Sequence, residues 1–302
     1  LIDPFGRSIE YVRLSVTDRC DLRCSYCIPK GFNGFEEPDH WLTFDEIERV
    51  IGVFGKLGVK RIRLTGGEPL VRKDMPVLAA RLAALPGIED LSLSTNANRL
   101  DKQAAALKAA GVSRINVSLD TLRPERFKEI TQGKLDKVMA GLMAARQAGL
   151  NPIKINMVVM ADVNDDDVED MVEFCLKHSF TLRFIETMPM GDTGRLASTH
   201  YVDLQTVKQR LAERFELLPG VMPGGGPARY VQVAGTDLRI GFITPISQHF
   251  CETCNRVRLS ADGTLYLCLG QNDKVELRPL LRAGISDAEL EQAIIDAIAI
   301  KP

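Results

Sequence analysis

The chain has 302 residues, of which 45% are hydrophobic and 26% are charged, enough for a sizeable core in one large domain or two unequal ones. No apolar run is long enough to span a membrane, and a net charge of −2 argues against a general nucleic-acid binder. Seven cysteines without a signal peptide indicate a reducing compartment, so we expect a soluble, cytoplasmic protein. Because the sequence begins at Leu1 and stops at Pro302, we expect native terminal residues to lie outside it.

Short β-rich runs alternate with helical patterns from residue 11 to about residue 186, which is typical of βα units around a parallel sheet. Strands are predicted at Tyr11–Val16, Arg61–Thr65, Asp90–Thr95, Arg114–Leu119, Ile153–Val159 and Thr181–Glu186. Helices are predicted after a capping box at Thr43–Glu46 and in the stretches 76–84, 101–110 and 135–148. Six units are fewer than the eight of a closed barrel, so we predict an α/β fold with an open, partial (β/α)6 TIM-type barrel.

The βα repeat stops after about residue 190. A helix near 203–215, a glycine-rich segment at 222–227 and shorter strands follow. We interpret the glycine-rich segment as a plain loop rather than a phosphate-binding loop, because no helix begins after it. The predicted division is a partial-barrel core at 1–220 and a C-terminal α+β extension at 221–302, packed against the open barrel.

Three cysteines, Cys20, Cys24 and Cys27, follow the first predicted strand with C-x3-C-x2-C spacing. Three thiolates can ligate three irons of a four-iron cluster, which leaves the fourth iron open to a ligand that is not protein. A disulfide group and part of a zinc site are the alternatives. The spacing favours the iron–sulfur cluster over zinc.

Side chains alternate along a strand, so one face of each predicted strand is polar while the other must pack on the helices. The polar faces would line the barrel lumen with about five cations and few acids, chiefly Asp120. These cations are Arg13, Arg61, Arg63, Lys154 and Arg183. Solvated strand charges or internal salt bridges are the alternative, but matching acids are scarce. The pattern favours a pocket for a polyanion such as a triphosphate.

A second group, Cys251, Cys254 and Cys268, again supplies three thiols, with C-x2-C-x13-C spacing. His249 could complete a zinc site of three cysteines and one histidine. The nearby cations Arg256 and Arg258 share one face by alternation and extend the lumenal set. They favour a second open-site iron–sulfur cluster.

Three segments carry a specific resemblance: Leu14–Cys20, Arg63–Leu70 with its Gly-Gly-Glu-Pro run, and Cys251–Arg258. Together with the two cysteine groups, they resemble the GTP 3′,8-cyclase family (molybdenum-cofactor biosynthesis protein A) among the radical S-adenosylmethionine (radical SAM) enzymes, over nearly the whole chain. The resemblance implies two [4Fe-4S] clusters and S-adenosylmethionine (SAM) as cofactors. It also implies that a 5′-deoxyadenosyl radical takes the 3′ hydrogen of GTP, and that cyclisation onto C8 gives 3′,8-cyclo-7,8-dihydro-GTP, the first step of molybdenum cofactor biosynthesis.

The resemblance also implies roles for particular residues. Cluster ligands would be Cys20, Cys24, Cys27, Cys251, Cys254 and Cys268. SAM would be bound by Tyr26, Gly66, Gly67, Glu68, Ser94, Asn96, Ser118 and Met188, with glycines because SAM must approach the backbone closely. GTP would be bound by Arg13, Arg61, Arg63, Lys154, Asn156, Arg183, Arg256 and Arg258. The last two are also expected to be catalytic.

Expected partners are GTP, a reductant protein of the flavodoxin or ferredoxin type, a downstream cyclic pyranopterin monophosphate synthase and a second copy in a homodimer. The sequence departs from the family pattern at Arg61, where some relatives carry Lys. A Gly-Gly tail typical of the family does not follow Pro302, and we expect it to lie beyond the given sequence. The alternatives are a peptide-modifying radical SAM maturase and a non-catalytic zinc scaffold.

Overall fold

One twelve-stranded sheet organises the computed structural model, which describes residues 1–29, 31–223 and 226–302. The strands are β1 Tyr11–Ser15, β2 Arg61–Thr65, β3 Asp90–Thr95, β4 Arg114–Ser118, β5 Ile153–Val158, β6 Thr181–Ile185, β7 Leu217–Gly220, β8 Arg229–Val233, β9 Arg239–Ile243, β10 Arg256–Leu259, β11 Thr264–Tyr266 and β12 Lys274–Glu276. All six strands predicted from alternation are present, and each ends within one residue of its expected end. The pattern is strong there because one face of each strand is buried.

The first six strands are adjacent in chain order and parallel, as the βα repeat predicts. Two later strands extend this parallel core: β10 pairs with β1 and β9 pairs with β6. Antiparallel strands β11 and β12 lie outside β10, while β8 and β7 lie outside β9. The open, partial barrel is confirmed, and the C-terminal residues continue its sheet at both edges.

The predicted division between residues 220 and 221 falls between β7 and β8, which are hydrogen-bonded to each other. It stays a prediction. The glycine-rich segment at 222–227 includes Gly224 and Gly225, which lie outside the described residues, so our interpretation of it as a plain loop is not tested there.

Ten α-helices are found in the described ranges. They are α1 Phe44–Lys56, α2 Met75–Ala83, α3 Ala104–Ala109, α4 Pro124–Thr131, α5 Leu135–Gln147, α6 Val168–His178, α7 Gly191–Ala197, α8 Leu204–Ala212, α9 Leu277–Arg282 and α10 Asp287–Ala299. The predicted capping box begins α1: Glu46 N donates to Thr43 Oγ1 at 3.1 Å, and Thr43 N donates to the Glu46 carboxylate at 2.7 Å. The helix expected from residue 101 begins at Ala104, because 100–102 form a separate 3-10 turn. No helix among the described residues is both long and apolar enough to span a bilayer.

The apolar faces of the core strands are buried, as alternation requires. On β1 and β2 these residues are Val12, Leu14, Ile62 and Leu64, all with no exposed surface. Each such side chain stabilises the fold by about 1.5–3 kcal/mol through burial. With these faces packed in the core, the polar faces are left for the inside of the barrel.

Candidate active site

The register of the parallel strands places lumenal cations side by side. Arg13 of β1 is paired with Arg258 of β10 on one side and with Arg63 of β2 on the other. In the neighbouring row, Tyr11 of β1 lies between Arg256 and Arg61. Adjacent strands are about 4.8 Å apart, so the first row places three arginines side by side, while the second places two arginines on either side of Tyr11.

A cavity of about 460 Å³ opens on this cationic face and extends to the second cysteine group. A smaller cavity of about 40 Å³ shares Tyr11, Arg63 and Arg183 with it. Every residue predicted to bind GTP lines one cavity or the other: Arg13, Arg61, Arg63, Lys154, Asn156, Arg183, Arg256 and Arg258. Of the residues predicted to bind SAM, Ser94 and Met188 also line the larger cavity.

Burial and mutual repulsion lower the pKa values of several of these cations. Burial, with Arg258 beside it, lowers the pKa of Arg13 to about 9, and burial lowers the pKa of Arg183 to about 10. Burial and the neighbouring Arg183 lower the pKa of Lys154 to about 7. Among the described residues, acids form ion pairs with two cations of this face, Asp90 with Arg114 and Glu10 with Arg61 at 3.5 Å, and the other cations have no such pair. An anionic ligand would relieve the repulsion.

Three buried donors on this face have no hydrogen-bond partner among the described residues: Arg13 Nε, Arg256 Nε and Tyr11 OH. Buried polar groups are nearly always paired, and an unpaired one costs stability. Their presence at one cavity indicates a site built for a ligand with several acceptor oxygens. A triphosphate has the required charge and acceptors.

The first cysteine group lines a separate cavity of about 360 Å³ together with Gly66 and Gly67. None of the seven cysteines forms a disulfide, so the disulfide alternative is wrong. Burial raises the pKa of the Cys20 thiol to about 11, so metal binding there must displace a proton. Leu22 N donates to Cys20 Sγ at 3.4 Å and Asn96 Nδ2 approaches it at 3.8 Å, contacts of the kind that orient cluster thiolates. These donors fit a cluster held by three thiolates.

The described residues contain no group of three His, Cys, Asp or Glu side chains arranged around a single metal ion. A four-iron cluster takes its thiolates on separate irons, so they need not converge on one point. In the second group, Cys251, Cys254 and Cys268 line the larger cavity together with His249.

The two cysteine groups lie at opposite ends of neighbouring strands. Cys20 follows the carboxyl end of β1, while Cys254 precedes the amino end of β10, which runs parallel to β1. Five residues of β1 span roughly 16 Å. The rows of cations lie between the two groups.

The loop before the second cysteine group is held from two sides. The buried Glu186 carboxylate accepts hydrogen bonds from the backbone N of Ile246 at 2.9 Å and of Ser247 at 3.2 Å. Arg7 donates to the carbonyl oxygen of Cys251 at 2.8 Å and to that of Pro302 at 2.7 Å. These contacts fix the thiols of a segment with little regular structure.

Gly66 and Gly67 lie very close to another segment of the chain. A Cβ added at Gly66 would lie 2.5 Å from Thr17 O, and one at Gly67 would lie 2.3 Å from Arg19 O. The segment before the first cysteine therefore packs directly on both glycines, and Gly67 N donates to Thr17 O at 2.8 Å. This contact within the chain already requires glycine at both positions, and their assignment to SAM stays a prediction.

Four residues predicted to bind SAM do not line these cavities: Tyr26, Glu68, Asn96 and Ser118. The Glu68 carboxylate is buried and accepts from Thr95 Oγ1 and Asn96 N, both at 2.7 Å, and burial raises its pKa to about 7. Tyr26 OH donates to the buried Asp120 carboxylate at 2.6 Å. In the described structure, Tyr26 and Glu68 therefore hold neighbouring segments together. The assignment of all four residues to SAM stays a prediction.

Sequence reasoning missed three residues of the cationic face: Tyr11, Arg114 and Tyr230. Tyr11 and Arg114 each precede a predicted lumenal residue by two positions, so the same alternation could have found them. Tyr230 lies on β8, outside the βα repeat, and no local signal places it at the lumen.

Comparisons with known proteins agree with this arrangement. A profile of the Radical SAM superfamily matches residues 14–175, and one named Molybdenum Cofactor Synthesis C matches residues 180–302. The GTP 3′,8-cyclase of Hydrogenovibrio crunogenus (strain DSM 25203 / XCL-2) is 48% identical over 307 residues, which cover 100% of this chain and 93% of the relative. That of Rhizobium etli (strain ATCC 51251 / DSM 11541 / JCM 21823 / NBRC 15573 / CFN 42) is 48% identical over 305 residues, which cover 100% and 87%.

Solved structures show the same fold at low identity. Streptococcus suis SuiB bound to S-adenosylmethionine has a TM-score of 0.65 at 16% identity, covering 95% of this chain and 68% of that one. The radical SAM enzyme coproporphyrinogen III oxidase (HemN) from Escherichia coli has a TM-score of 0.51 at 14% identity, covering 68% and 51%. With full-length relatives at 48% identity and both cysteine groups in place, the chain belongs to the GTP 3′,8-cyclase family of radical SAM enzymes.

Proposed function

We propose that the chain converts GTP to 3′,8-cyclo-7,8-dihydro-GTP, the first step of molybdenum cofactor biosynthesis. One observation carries the proposal: a buried set of cations lies between two groups of three thiols, and several of its donors have no hydrogen-bond partner among the described residues. The names of the curated relatives and the matched profile for molybdenum cofactor synthesis support the same activity.

Two [4Fe-4S] clusters and SAM are the cofactors of this reaction. Cys20, Cys24 and Cys27 would hold the first cluster, and Cys251, Cys254 and Cys268 the second. Gly66, Gly67, Ser94 and Met188 are the predicted SAM residues that line the cavities. Tyr26, Glu68, Asn96 and Ser118 would act from positions outside the cavity linings. When bound, these groups supply one-electron radical chemistry that no amino-acid side chain provides.

The residues of this chain would bind, orient and shield the substrate. The lumenal arginines and Lys154 neutralise the triphosphate, and their burial strengthens each contact. Arg256 and Arg258 follow Cys254 within four residues, so they couple phosphate binding to the second cysteine group. The lumen of the partial barrel would hold the reacting nucleoside away from bulk water and fix its orientation.

Removing single lumenal cations tests the proposal. We expect Arg63→Ala and Arg256→Ala each to weaken GTP binding about tenfold or more while SAM cleavage continues, because each removes a charge-assisted contact to phosphate. Calorimetric titration of anaerobically reconstituted protein measures the affinity. Arg214→Ala, which removes an exposed arginine paired with Glu173, is the matched control. Wild-type affinity in both lumenal variants would contradict the proposal.

The remaining expectations concern partners, location and domains. Radical chemistry at a cluster needs an electron, so we propose a flavodoxin- or ferredoxin-type reductant protein. The product would pass to a cyclic pyranopterin monophosphate synthase, and the enzyme would act in the cytoplasm as a homodimer. We keep the division at 1–220 and 221–302 as part of this proposal.

A further inference from the structure

Tyr11 occupies the junction of the two cavities, although neither alternation nor resemblance assigned it a role. It lies on β1, paired in register with Arg256 on one side and Arg61 on the other. It is 4% exposed and lines both the larger and the smaller cavity. Of the described residues that line both, it is the only aromatic one.

The Tyr11 ring lies between like charges. The guanidinium of Arg63 lies 5.4 Å from the ring centroid, and that of Arg256 lies 5.9 Å from it. Both distances are within the range of cation–π attraction. The ring therefore offsets part of the repulsion between two arginines that the proposed function assigns to phosphate binding.

The Tyr11 hydroxyl is buried and has no hydrogen-bond partner among the described residues. A phenylalanine would provide the same ring without burying an unpaired hydroxyl, so the hydroxyl lowers the stability of the free protein. Many of the side chains that line the two cavities with Tyr11 are cationic donors, among them Arg63, Arg183 and Arg256, and these cannot accept its proton. We therefore expect the ligand to supply the acceptor, and a cavity that holds these cations favours an anion.

We propose that Tyr11 is a substrate-binding residue whose hydroxyl donates a hydrogen bond to a phosphate oxygen of the nucleoside triphosphate. The inference rests on the proposed function, which supplies the triphosphate. It adds a neutral donor to a set of cations and assigns it to the phosphates rather than to the base.

Tyr11→Phe tests the inference, because it removes only the hydroxyl. In the reconstituted enzyme, we expect the affinity for GTP and for inorganic triphosphate to fall about tenfold, with guanosine binding unchanged. We also expect the melting temperature of the ligand-free protein to stay equal or rise, because the unpaired hydroxyl is gone. A purely structural tyrosine would give the opposite result for stability. Tyr266→Phe, on β11 and lining neither cavity, is the matched control.

Each other result has a distinct meaning. Unchanged affinities in Tyr11→Phe would overturn the inference and leave the proposed function standing. An equal loss of affinity for guanosine would mean that the hydroxyl contacts the nucleoside, which would overturn the phosphate assignment. A lower melting temperature would indicate a structural role and would also overturn it. Wild-type protein that binds inorganic triphosphate through Tyr11 but does not bind GTP would support the inference and overturn the proposed substrate. Binding of neither ligand would overturn both.

Discussion

Lys154 shows how the cationic site depends on its ligand. It is 5% exposed, and the cations around it include Arg183, Arg114 and Arg63. Burial, followed by these charges, lowers its pKa to about 7, so near neutral pH only part of the free protein carries this charge. A bound triphosphate favours the charged form and raises the pKa again.

We therefore expect GTP binding to take up a proton above pH 7. Below the free-state pKa, Lys154 is charged with or without ligand, so its contribution to affinity is complete. As pH rises from 7 to 8, the free protein loses the proton that the complex retains, and affinity falls by up to about tenfold. Calorimetric titration between pH 6 and 8.5 measures the profile.

Lys154→Arg is the control for this pH profile. Arginine keeps its charge across this pH range, so GTP affinity in the variant should depend less on pH. The titration of GTP itself affects both proteins equally. Identical slopes in the two proteins would mean that Lys154 does not gain a proton on binding.

Strands and loops differed in how far the sequence could predict them. Alternation predicted the six core strands and the lumenal position of Arg13, Arg63 and Arg183, because a buried face enforces a period of two residues. It could have included Tyr11 and Arg114 by starting each strand's polar face two residues earlier. The pairing of β9 with β6 and of β10 with β1 could not be predicted, since pairing between strands distant in sequence leaves no local pattern.

Loop side chains have no such period, so the sequence alone could not predict their hydrogen-bond partners. The Glu68 carboxylate accepts hydrogen bonds from Thr95 and Asn96, which no local pattern indicates, and its assignment to SAM stays a prediction. Gly66 and Gly67 pack closely on Thr17 and Arg19, neighbours that the sequence alone does not identify. A sequence indicates that a glycine is needed more readily than it identifies the neighbour that requires it.

The packing of residues 17–19 on the loop after β2 gives a prediction for the first cysteine group. Gly67→Ala would place a methyl group 2.3 Å from Arg19 O, so we expect it to destabilise the fold by about 1–3 kcal/mol. Displacing residues 17–19 also displaces Cys20, and iron bound per chain should fall from about eight to about four. Iron analysis and thermal unfolding measure both effects.

Gly52→Ala, within α1, is the control. Its added methyl group would lie 3.7 Å from the Leu85 side chain, an ordinary van der Waals distance. It should keep all its iron and be at least as stable as the wild type, since alanine favours helices. A Gly67→Ala protein with full iron and unchanged stability would contradict this account of the loop.

At the scale of the whole molecule, two halves of the chain combine in one sheet. The βα repeat supplies the first cysteine group and most of the cations, while residues after 190 supply β9, β10 and the second group. Because β10 lies beside β1, Arg258 joins the row of Arg13 and Arg256 joins the row of Tyr11. Arg7, near the start of the described chain, donates to the carbonyl oxygens of both Cys251 and Pro302, so it joins the C-terminal end to the second group. Neither half forms the site without the other.

The central claim is that a radical generated at the first cysteine group acts on GTP held by these cations. The most direct test measures 5′-deoxyadenosine released from anaerobically reconstituted protein with SAM and dithionite, with and without each nucleoside triphosphate. We predict release that only GTP stimulates, together with a cyclised guanine nucleotide product. Release indifferent to every nucleotide, or none despite about eight irons per chain, would contradict the claim.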